Sequence, residues 1–534
     1  MSKKLIALFA AVLMIAMCFT ACVGSQETST PDDTTSTTTT APADPGVTDP
    51  TDPGDPTEPG VTDPADPTDP GRPTRPPTTT VLVKVTTTAF TTVPEENRTL
   101  APDKPEDMDG YGFKFTSSWL PKRTDANITL FEQQLFDRAD EVAEDYNCSI
   151  NFSSLWAGPS ELQTFIQAER NPADIMEGMV GSQFYPCVGA GYLKSWTDYT
   201  KEGLINTADA RWIDSYTELG RYPLDGAIYG MQFMRPAEVR FCVVFNKTLI
   251  KSAGLDPNAL YDAVYAKTWD YDMLRDYALK ITKDTDGNGT TDVWGMTGQY
   301  SYMMYSFVWA NGGRILDVVN GIVTSTMSSS KVINGAEYFD KLVNDDKVVY
   351  FPEAFYSEDT WSASGSYDAV AEFLKGNTGF LFYESWVINH QVRPNAKFDY
   401  GMLPLPKGPD ATSYVTPSEN ARLCYISITN KNAEKSVKIF NALARPLKDL
   451  VDYSEDLQAE YFQDNDTKSK DIYYFCLKNA VCDLGSGVSA LGADLTHGLA
   501  RTIFWHQTTP TAAIQAMDDS YADEIAAIYA PKKG

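Results

Sequence analysis

Three regimes of hydrophobic and polar patterning divide the 534-residue chain. The first is an apolar run, Leu5 to Phe19, behind the basic pair Lys3 and Lys4. The second, Val23 to about Asp109, has no period. It is Thr, Pro, Asp and Gly in a loose repeat, ADPGVTDPTDPGDPTEPG, interrupted by the short apolar patch TTTVLVKVTTTAF. The third, from about Tyr111, switches between period 2 and period 3.6. GFKFTSSW alternates and predicts a strand. Asp125 to Tyr146 places Ile128, Phe131, Leu135, Ala139, Val142 and Tyr146 on one helical face. CSINFSSL is a second strand, GPSELQTFIQAERN a helix capped by Ser160, and PADIMEGM a short buried strand. This order predicts a parallel sheet covered on both faces, with ligand beyond the carboxyl ends of its strands.

Further along, DGAIYGMQFMRPAEVRFCVVF predicts a turn, a strand, a loop and a second strand, followed by a short helix ending at Gly254. TWDYDMLRDYALKITKD is a helix capped by Thr268, with Leu274, Ala278 and Ile281 inward, and VWGMTG is a strand. YSFVWANGGRIL is a helix that breaks at Asn311, Gly312 and Gly313. Helices are predicted for SSSKVINGAEYFDKLVND and for Tyr367 to Leu374, and NTGFLFYESW is a strand. FDYGMLPLPKGP is extended because its prolines forbid a helix. ARLCYISITN leads into a helix with Ala433, Val437, Phe440 and Leu443 or Ala444 on its apolar face, and residues 450–534 read as mostly helical.

The N-terminal run is too short to favour a membrane span over a signal peptide. It ends Phe19-Thr20-Ala21-Cys22, which resembles the bacterial lipobox, with Phe19 where leucine is usual. Residues 1–22 are expected to be a lipoprotein signal peptide, with acyl chains on Cys22 holding the protein to membrane lipid. An ordinary secretory signal is the alternative. Residues 23–109 contain no Tyr or Trp. Such a segment does not offset the entropy of folding and reads as a disordered acidic tether. A tether beside a lipid anchor points to the outer face of a Gram-positive type of envelope.

Residues 110–534 are long enough for two lobes and hold all ten tryptophans. A net charge of −28 with no basic stripe excludes nucleic acid as partner. Cys148, Cys187, Cys242, Cys424, Cys476 and Cys482 are spaced too widely for a zinc site. Cys476 and Cys482 are close enough in sequence for a small disulfide loop.

Six short strings occur in order: AIYGMQF (Ala227–Phe233), VVFNKTLIKSAGLDP (Val243–Pro257), TWDYDMLRDYALKIT, NGGRILD (Asn311–Asp317), FLKGNTGFLFYESW (Phe373–Trp386) and FDYGMLPLPKG. Behind a lipobox, this series resembles the extracellular solute-binding proteins of ABC importers, the family-1 class typified by sugar binders, over roughly 111–445. Phe245 stands where a tyrosine is usual, and MRPAEVRF is more charged than a generic copy. The resemblance implies an α/β, two-lobed periplasmic-binding-protein-like fold (type II) with the ligand cleft between lobes. The lobes would be discontinuous in sequence, with crossovers near 235–245 and 370–380. It also implies a monomeric receptor that delivers its solute to a permease.

A sugar shows apolar faces and hydroxyl edges, so its site needs aromatic platforms and polar forks. Residues at predicted strand ends or helix breaks are the candidates: Trp119, Glu177, Trp309, Asn311, Glu384 and Trp386, then Tyr229, Arg235, Glu419, Asn420 and Arg422. Trp156, Trp196, Trp269, Trp294 and Trp361 read as core or surface packing. The same fold binding a peptide or polyamine is the alternative. A surface glycoside hydrolase would need two carboxylates flanking a bond. The chain has no H-E-x-x-H or G-x-S-x-G motif, and His390, His497 and His506 form no ligand-spaced cluster, so no enzymatic activity is expected. No cofactor is required. In DTDGNGTTDVWG, the residues Asp284, Asp286, Asn288, Thr290 (by its carbonyl) and Asp292 have calcium-loop spacing, but position twelve is Gly295 rather than a bidentate glutamate. The loop is either a weak structural calcium site or an Asx-rich turn.

Overall fold

The computed structural model describes residues 98–118, 120, 123, 130–156, 158–222, 224–233, 239, 241–319, 322–351, 365–418, 421–445, 461–463, 466–481, 484–487, 499, 502 and 508–528. Contacts divide the chain into Met1–Thr78 and Thr79–Gly534, and every described residue belongs to the second unit. The expected signal peptide, Cys22 and the part of the expected tether up to residue 97 lie outside the described residues.

One sheet is built from the first βαβαβ segment. Strands β1 (Tyr111–Ser117), β2 (Cys148–Ser153) and β3 (Ile175–Met179) are parallel. Helices α1 (Leu130–Asp145) and α2 (Pro159–Gln167) connect them. Phe113 and Phe115 of β1 are buried, while Lys114 between them is exposed. They meet the α1 face of Leu135, Ala139 and Val142 in one core that also holds Trp196 and Phe440. Phe115 stacks on Phe233 at 4.5 Å, and Phe233 on Phe440 at 5.9 Å. Each aromatic buried this way contributes about 2–3 kcal/mol of transfer free energy. Helix α2 begins one residue earlier than its predicted cap. Gly158 holds the N-cap position and has no side chain to cap with, and Pro159 occupies the first helical position, where its missing N–H costs nothing.

Helix α3 (Asp214–Leu219) precedes the second sheet. That sheet contains β4 (Cys242–Asn246), then, after helix α4 (Tyr271–Ile281), β5 (Trp294–Gly298). Helices α5 (Tyr300–Ala310), α6 (Ser330–Asp340) and α7 (Gly365–Leu374) follow, then β6 (Thr378–Tyr383) and β7 (Tyr400–Leu403). The strand order is β5-β6-β4-β7, with β5 and β6 parallel and β4 antiparallel to both β6 and β7. All six residues of β6 are buried, as the continuous apolar string TGFLFY requires of a strand covered on both faces. Gly295 lies where a Cβ would come within 2.7 Å of the Ala278 carbonyl oxygen, so its lack of a side chain lets α4 lie close against β5. The cap of α4 is Asp270, whose carboxylate accepts from Met273 N at 2.9 Å, rather than Thr268.

The chain returns to the first sheet as β8 (Arg422–Tyr425), antiparallel to β3 in the order β8-β3-β1-β2. The second crossover is therefore at 404–421 and not near 370–380, because Thr378–Tyr383 is an interior strand of the second sheet. The first expected crossover lies partly outside the described residues. AIYGMQF forms isolated bridges instead of a ladder, with Met231 exchanging both backbone hydrogen bonds with Cys424.

Helix α8 (Ala433–Leu443) covers the first sheet with Val437 and Phe440 buried. Residues 98–109, assigned to the tether by composition, run along it. Lys438 pairs with Glu106 at 2.6 Å and Arg445 with Asp103 at 2.9 Å, while Arg98 reaches Asp214 at 2.7 Å. The folded unit thus takes in Arg98. The polar composition that suggests disorder supplies the ion pairs that dock this segment.

Helix α9 (Thr467–Lys478) lies on β7, and Ala480–Val481 pairs in parallel with Thr416–Pro417 of the second crossover. Helix α10 (Pro510–Ile528) packs on α6, with Thr511 donating to Glu337 at 2.8 Å. Cys476 is a buried free thiol whose ionisation is pushed up to about 12 by desolvation.

Candidate ligand site

Topology links two strand edges through one crossover. β1 and β3 end at Ser117 and Met179, and antiparallel β8 begins beside them, with Arg422 opposite Met179. In the second sheet β5, β6 and β7 end at Gly298, Tyr383 and Leu403, where antiparallel β4 begins. The 404–421 crossover joins Leu403 to Arg422, so it links the carboxyl edge of one sheet directly to that of the other. A cleft between two such edges is where an open α/β sheet receives ligand.

On the first edge, Glu177 is 2% exposed and accepts a hydrogen bond from Ser117 Oγ at 2.5 Å. Gln183 is fully buried. Its side-chain carbonyl accepts from Met179 N at 2.9 Å, closing the turn after β3, while its amide nitrogen has no partner among the described residues. A buried N–H in that state calls for a water or a ligand oxygen. Arg422 is half-buried at the start of β8.

On the second edge, Glu384 follows β6 and accepts from Trp386 Nε1 at 2.6 Å. Trp386 is half-buried, edge-on to Tyr383 at 5.8 Å and 5.9 Å from His390. Between them, Ser385 N donates to Val239 O at 3.2 Å, and its buried hydroxyl has no partner among the described residues. The buried strand ends at Tyr383, so Glu384, Ser385 and Trp386 are the first residues free to turn polar groups to the edge. The arrangement offers a fixed indole beside a carboxylate.

Three predicted ligand residues have other work. Trp309 is in the core, against Tyr305 at 4.8 Å and Phe241 at 6.2 Å. Helix α5 is apolar all round, and such a helix is buried on every side. Asn311 is completely buried as a clamp. Its amide donates to Lys331 O and to Asp410 Oδ2, both at 2.9 Å, and its carbonyl accepts from Asp410 N at 3.0 Å. Tyr229 donates to Asp225 at 2.8 Å and packs against Tyr222. Burial, and then that carboxylate, push its phenol well above the ordinary range. Trp119, Arg235, Glu419 and Asn420 lie outside the described residues.

The 284–292 loop brings carboxylate oxygens of Asp284, Asp286 and Asp292 within 4.8 Å of one another. Asp284 accepts from Gly287 N and Gly289 N, both at 2.8 Å, and Asp292 from Thr285 N at 2.7 Å. These bonds hold both carboxyls below their ordinary range, Asp284 chiefly through Gly289 N and Asp292 chiefly through the Thr285 side chain. Three carboxylate oxygens on a tight turn fit a hard cation. Gly295 at position twelve lies inside β5 and adds nothing to that set.

A family model for the bacterial extracellular solute-binding proteins matches residues 131–446. The chain belongs to this family. Solved structures share its fold. The ABC substrate-binding protein Lmo0181 of Listeria monocytogenes, in complex with cycloalternan, is 17% identical over 78% of this chain and 100% of its own, with a TM-score of 0.53. The cyclic α-maltosyl-1,6-maltose binding protein of Arthrobacter globiformis is 15% identical over 78% and 99%, at 0.54. UgpB of Mycobacterium tuberculosis, in complex with glycerophosphocholine, is 13% identical over 78% and 98%, also at 0.54. No curated protein matches the chain in sequence.

The protein is thus a solute-binding receptor of ABC transport, in a family of receptors rather than enzymes, with the two-lobed periplasmic-binding-protein-like fold. Among the described residues no helix is long and apolar enough to cross a membrane. The structure also exposes a residue that the sequence reading assigned to packing. Trp156, just beyond the end of β2, is 45% exposed. Its one sequence signal is position, an aromatic between a strand and a Gly-Pro helix start.

Proposed function

We propose that this receptor captures a carbohydrate in the cleft between the two sheet edges and delivers it to a permease, with Cys22 anchoring it to the outer face of the membrane. The observation that carries the reading is the Trp386 indole held at 2.6 Å by the Glu384 carboxylate, just past the end of β6. A sugar ring presents an apolar face for the indole and hydroxyls for the carboxylate oxygens. Glu177 and Gln183 on the opposite edge supply a further acceptor and donor. Two of the related structures carry saccharides in their names, which supports the same class here. Glycerophosphocholine in a third marks the alternative, the same receptor fold with a non-sugar solute. We propose also that the Asp284 loop takes a calcium ion at extracellular concentrations.

Calorimetric binding against sugars, peptides and polyamines tests the proposal. A sugar should bind, and Trp386→Ala should weaken it about 30-fold, a loss of about 2 kcal/mol from the apolar face and the oriented hydrogen bond. Binding of a peptide or polyamine with no response to any sugar overturns the carbohydrate assignment.

A further inference from the structure

We infer that residues 98–103, the arm that leads into the folded unit, brace the hinge of the receptor, so that docking of the arm governs how freely the 404–421 crossover bends. The inference concerns the hinge and is independent of the solute.

The arm has a built seat on the first lobe. The Arg98 side chain is 1% exposed, and its guanidinium meets the Asp214 carboxylate at 2.7 Å, at the start of α3. Thr99 O accepts from Ala210 N at 3.3 Å, and Ala101 N donates to Asp209 Oδ2 at 2.8 Å. Arg211, buried beneath the arm, donates to Asp209 Oδ1 at 2.9 Å, to Asn441 Oδ1 of α8 at 3.0 Å and to Ala101 O at 3.4 Å. A planar guanidinium with its donors on three partners is a fixed fork, and it seats the arm in one place.

Helix α3 carries that docking to the crossover by two routes. Just past its last turn, Gly220 O accepts from Tyr229 N at 2.8 Å, and a Cβ on Gly220 would overlap the Gly230 carbonyl oxygen. Met231, next along, exchanges both backbone hydrogen bonds with Cys424 of β8, just past the end of the crossover. In the first turn of α3, Ser215 Oγ donates to Leu477 O at 2.7 Å. Leu477 lies in the last turn of α9, and the residues after that helix pair with the crossover itself. Thr416 N donates to Asn479 O and Ser418 N to Val481 O, both at 2.8 Å. Helix α9 is in turn fixed to the second lobe, where Ser469 Oγ accepts from Met402 N of β7 at 2.8 Å. One short helix thus joins the arm, α9 and both parts of the crossover.

Closing two lobes changes the backbone at a few connecting residues. Thr416–Pro417 is a buried two-residue strand whose partner, Ala480–Val481, is equally short. A ladder of that length does not hold itself. Its order therefore depends on what fixes Asn479 and Val481, and the Ser215–Leu477 bond is that fixture. Arg98 holds the neighbouring residue, Asp214, in the same turn of α3. Releasing the arm loosens this turn, and through it the crossover.

The test is hydrogen–deuterium exchange of the full-length protein, read by mass spectrometry, with no solute needed. Arg98→Ala and Asp214→Ala each break the first contact of the arm, from opposite partners. Ser215→Ala cuts the link to α9 and leaves the arm docked. Lys438→Ala removes the pair with Glu106 at the other end of the docked segment, 2.6 Å in the wild type, and serves as the control. The first three variants should each speed exchange at Thr416 and Ser418 about fivefold or more, with the β1–β2 ladder unchanged. Lys438→Ala should speed exchange only within residues 104–109. Gains confined to 98–103 and 209–214 in Arg98→Ala and Asp214→Ala, or no gain at Thr416 and Ser418 in Ser215→Ala, overturn the inference. Equal gains in the crossover from Lys438→Ala, or gains that spread to the β1–β2 ladder, overturn it too, because they report general loosening and not a brace.

Discussion

Asp466 is the point at which helix α9 is fastened to the rest of the receptor. It caps α9, accepting from Ser469 N at 3.1 Å and from Ser469 Oγ at 2.7 Å. The same carboxylate accepts from Lys247 Nζ at 2.6 Å and from Tyr261 OH at 3.1 Å. Ser469 Oγ in turn accepts from Met402 N of β7 at 2.8 Å, and at the far end of the helix Leu477 O accepts from Ser215 of α3 at 2.7 Å. The ion pair is mostly buried, at 16% side-chain exposure for Lys247 and 8% for Asp466. Asp466→Ala removes an N-cap, worth about 1 kcal/mol. It also strands the Lys247 ammonium, and breaking a buried pair in this way costs about 3–5 kcal/mol. The two losses share atoms and do not add, so about 4 kcal/mol is expected. The assay is urea unfolding followed by far-UV circular dichroism and tryptophan fluorescence together, since two lobes need not unfold as one. Adding Lys247→Met to Asp466→Ala should recover about 2 kcal/mol, because an apolar side chain at that place carries no stranded charge. A single-variant loss below about 1 kcal/mol, or no recovery in the double variant, refutes the argument that a desolvated charge dominates at this position.

Asn311→Ala should cost about 3 kcal/mol, since it leaves buried backbone and carboxylate partners unsatisfied. It should not change solute affinity, and an affinity loss without a stability loss would return Asn311 to the ligand site. The same variant bears on acid stability. Hydrogen bonds, first from Asn334 and then from Asn311, hold the Asp410 carboxyl below its ordinary 3.8. A depressed carboxyl stabilises the fold above its unfolded value, and that contribution is lost as pH falls through the folded one. The stability of wild type should therefore drop more steeply than that of Asn311→Ala below about pH 4. Calcium should raise the thermal midpoint of wild type by mass action, reversibly on chelation and not in Asp284→Asn. No rise at millimolar calcium rejects the loop as a cation site.

Periodicity was enough to place β1, β2, β3, β5 and β6 and the inward faces of α1, α4 and α8, because those signals are local. Leu274, Ala278 and Ile281 share a face by helical spacing alone, and all three are buried. The order of six weak strings was likewise enough for the family, since order survives drift that erases single motifs. Ends of elements were less legible. Thr268 and Asp270 are both good caps by residue type, and the backbone path selects Asp270.

What the chain by itself determined is therefore the alternation of strands and helices, the two-lobed class and the presence of aromatic and acidic residues at strand ends. Tertiary structure decided which of those residues are available. Trp309 and Trp156 are the same side chain, one buried by an all-apolar helix and the other left at a sheet edge beside Gly158. Asn311 follows a helix as a ligand residue would, yet Lys331 and Asp410, 20 and 99 positions away, occupy its amide. The second crossover depended on pairing as well, because TGFLFY reads as a buried strand in any position, and only its neighbours Trp294–Gly298 and Cys242–Asn246 make it the interior of the second sheet. Hydrophobic spacing is a property of neighbours along the chain. Exposure and hydrogen-bond vacancy are properties of neighbours in space, and a binding site is made of the latter.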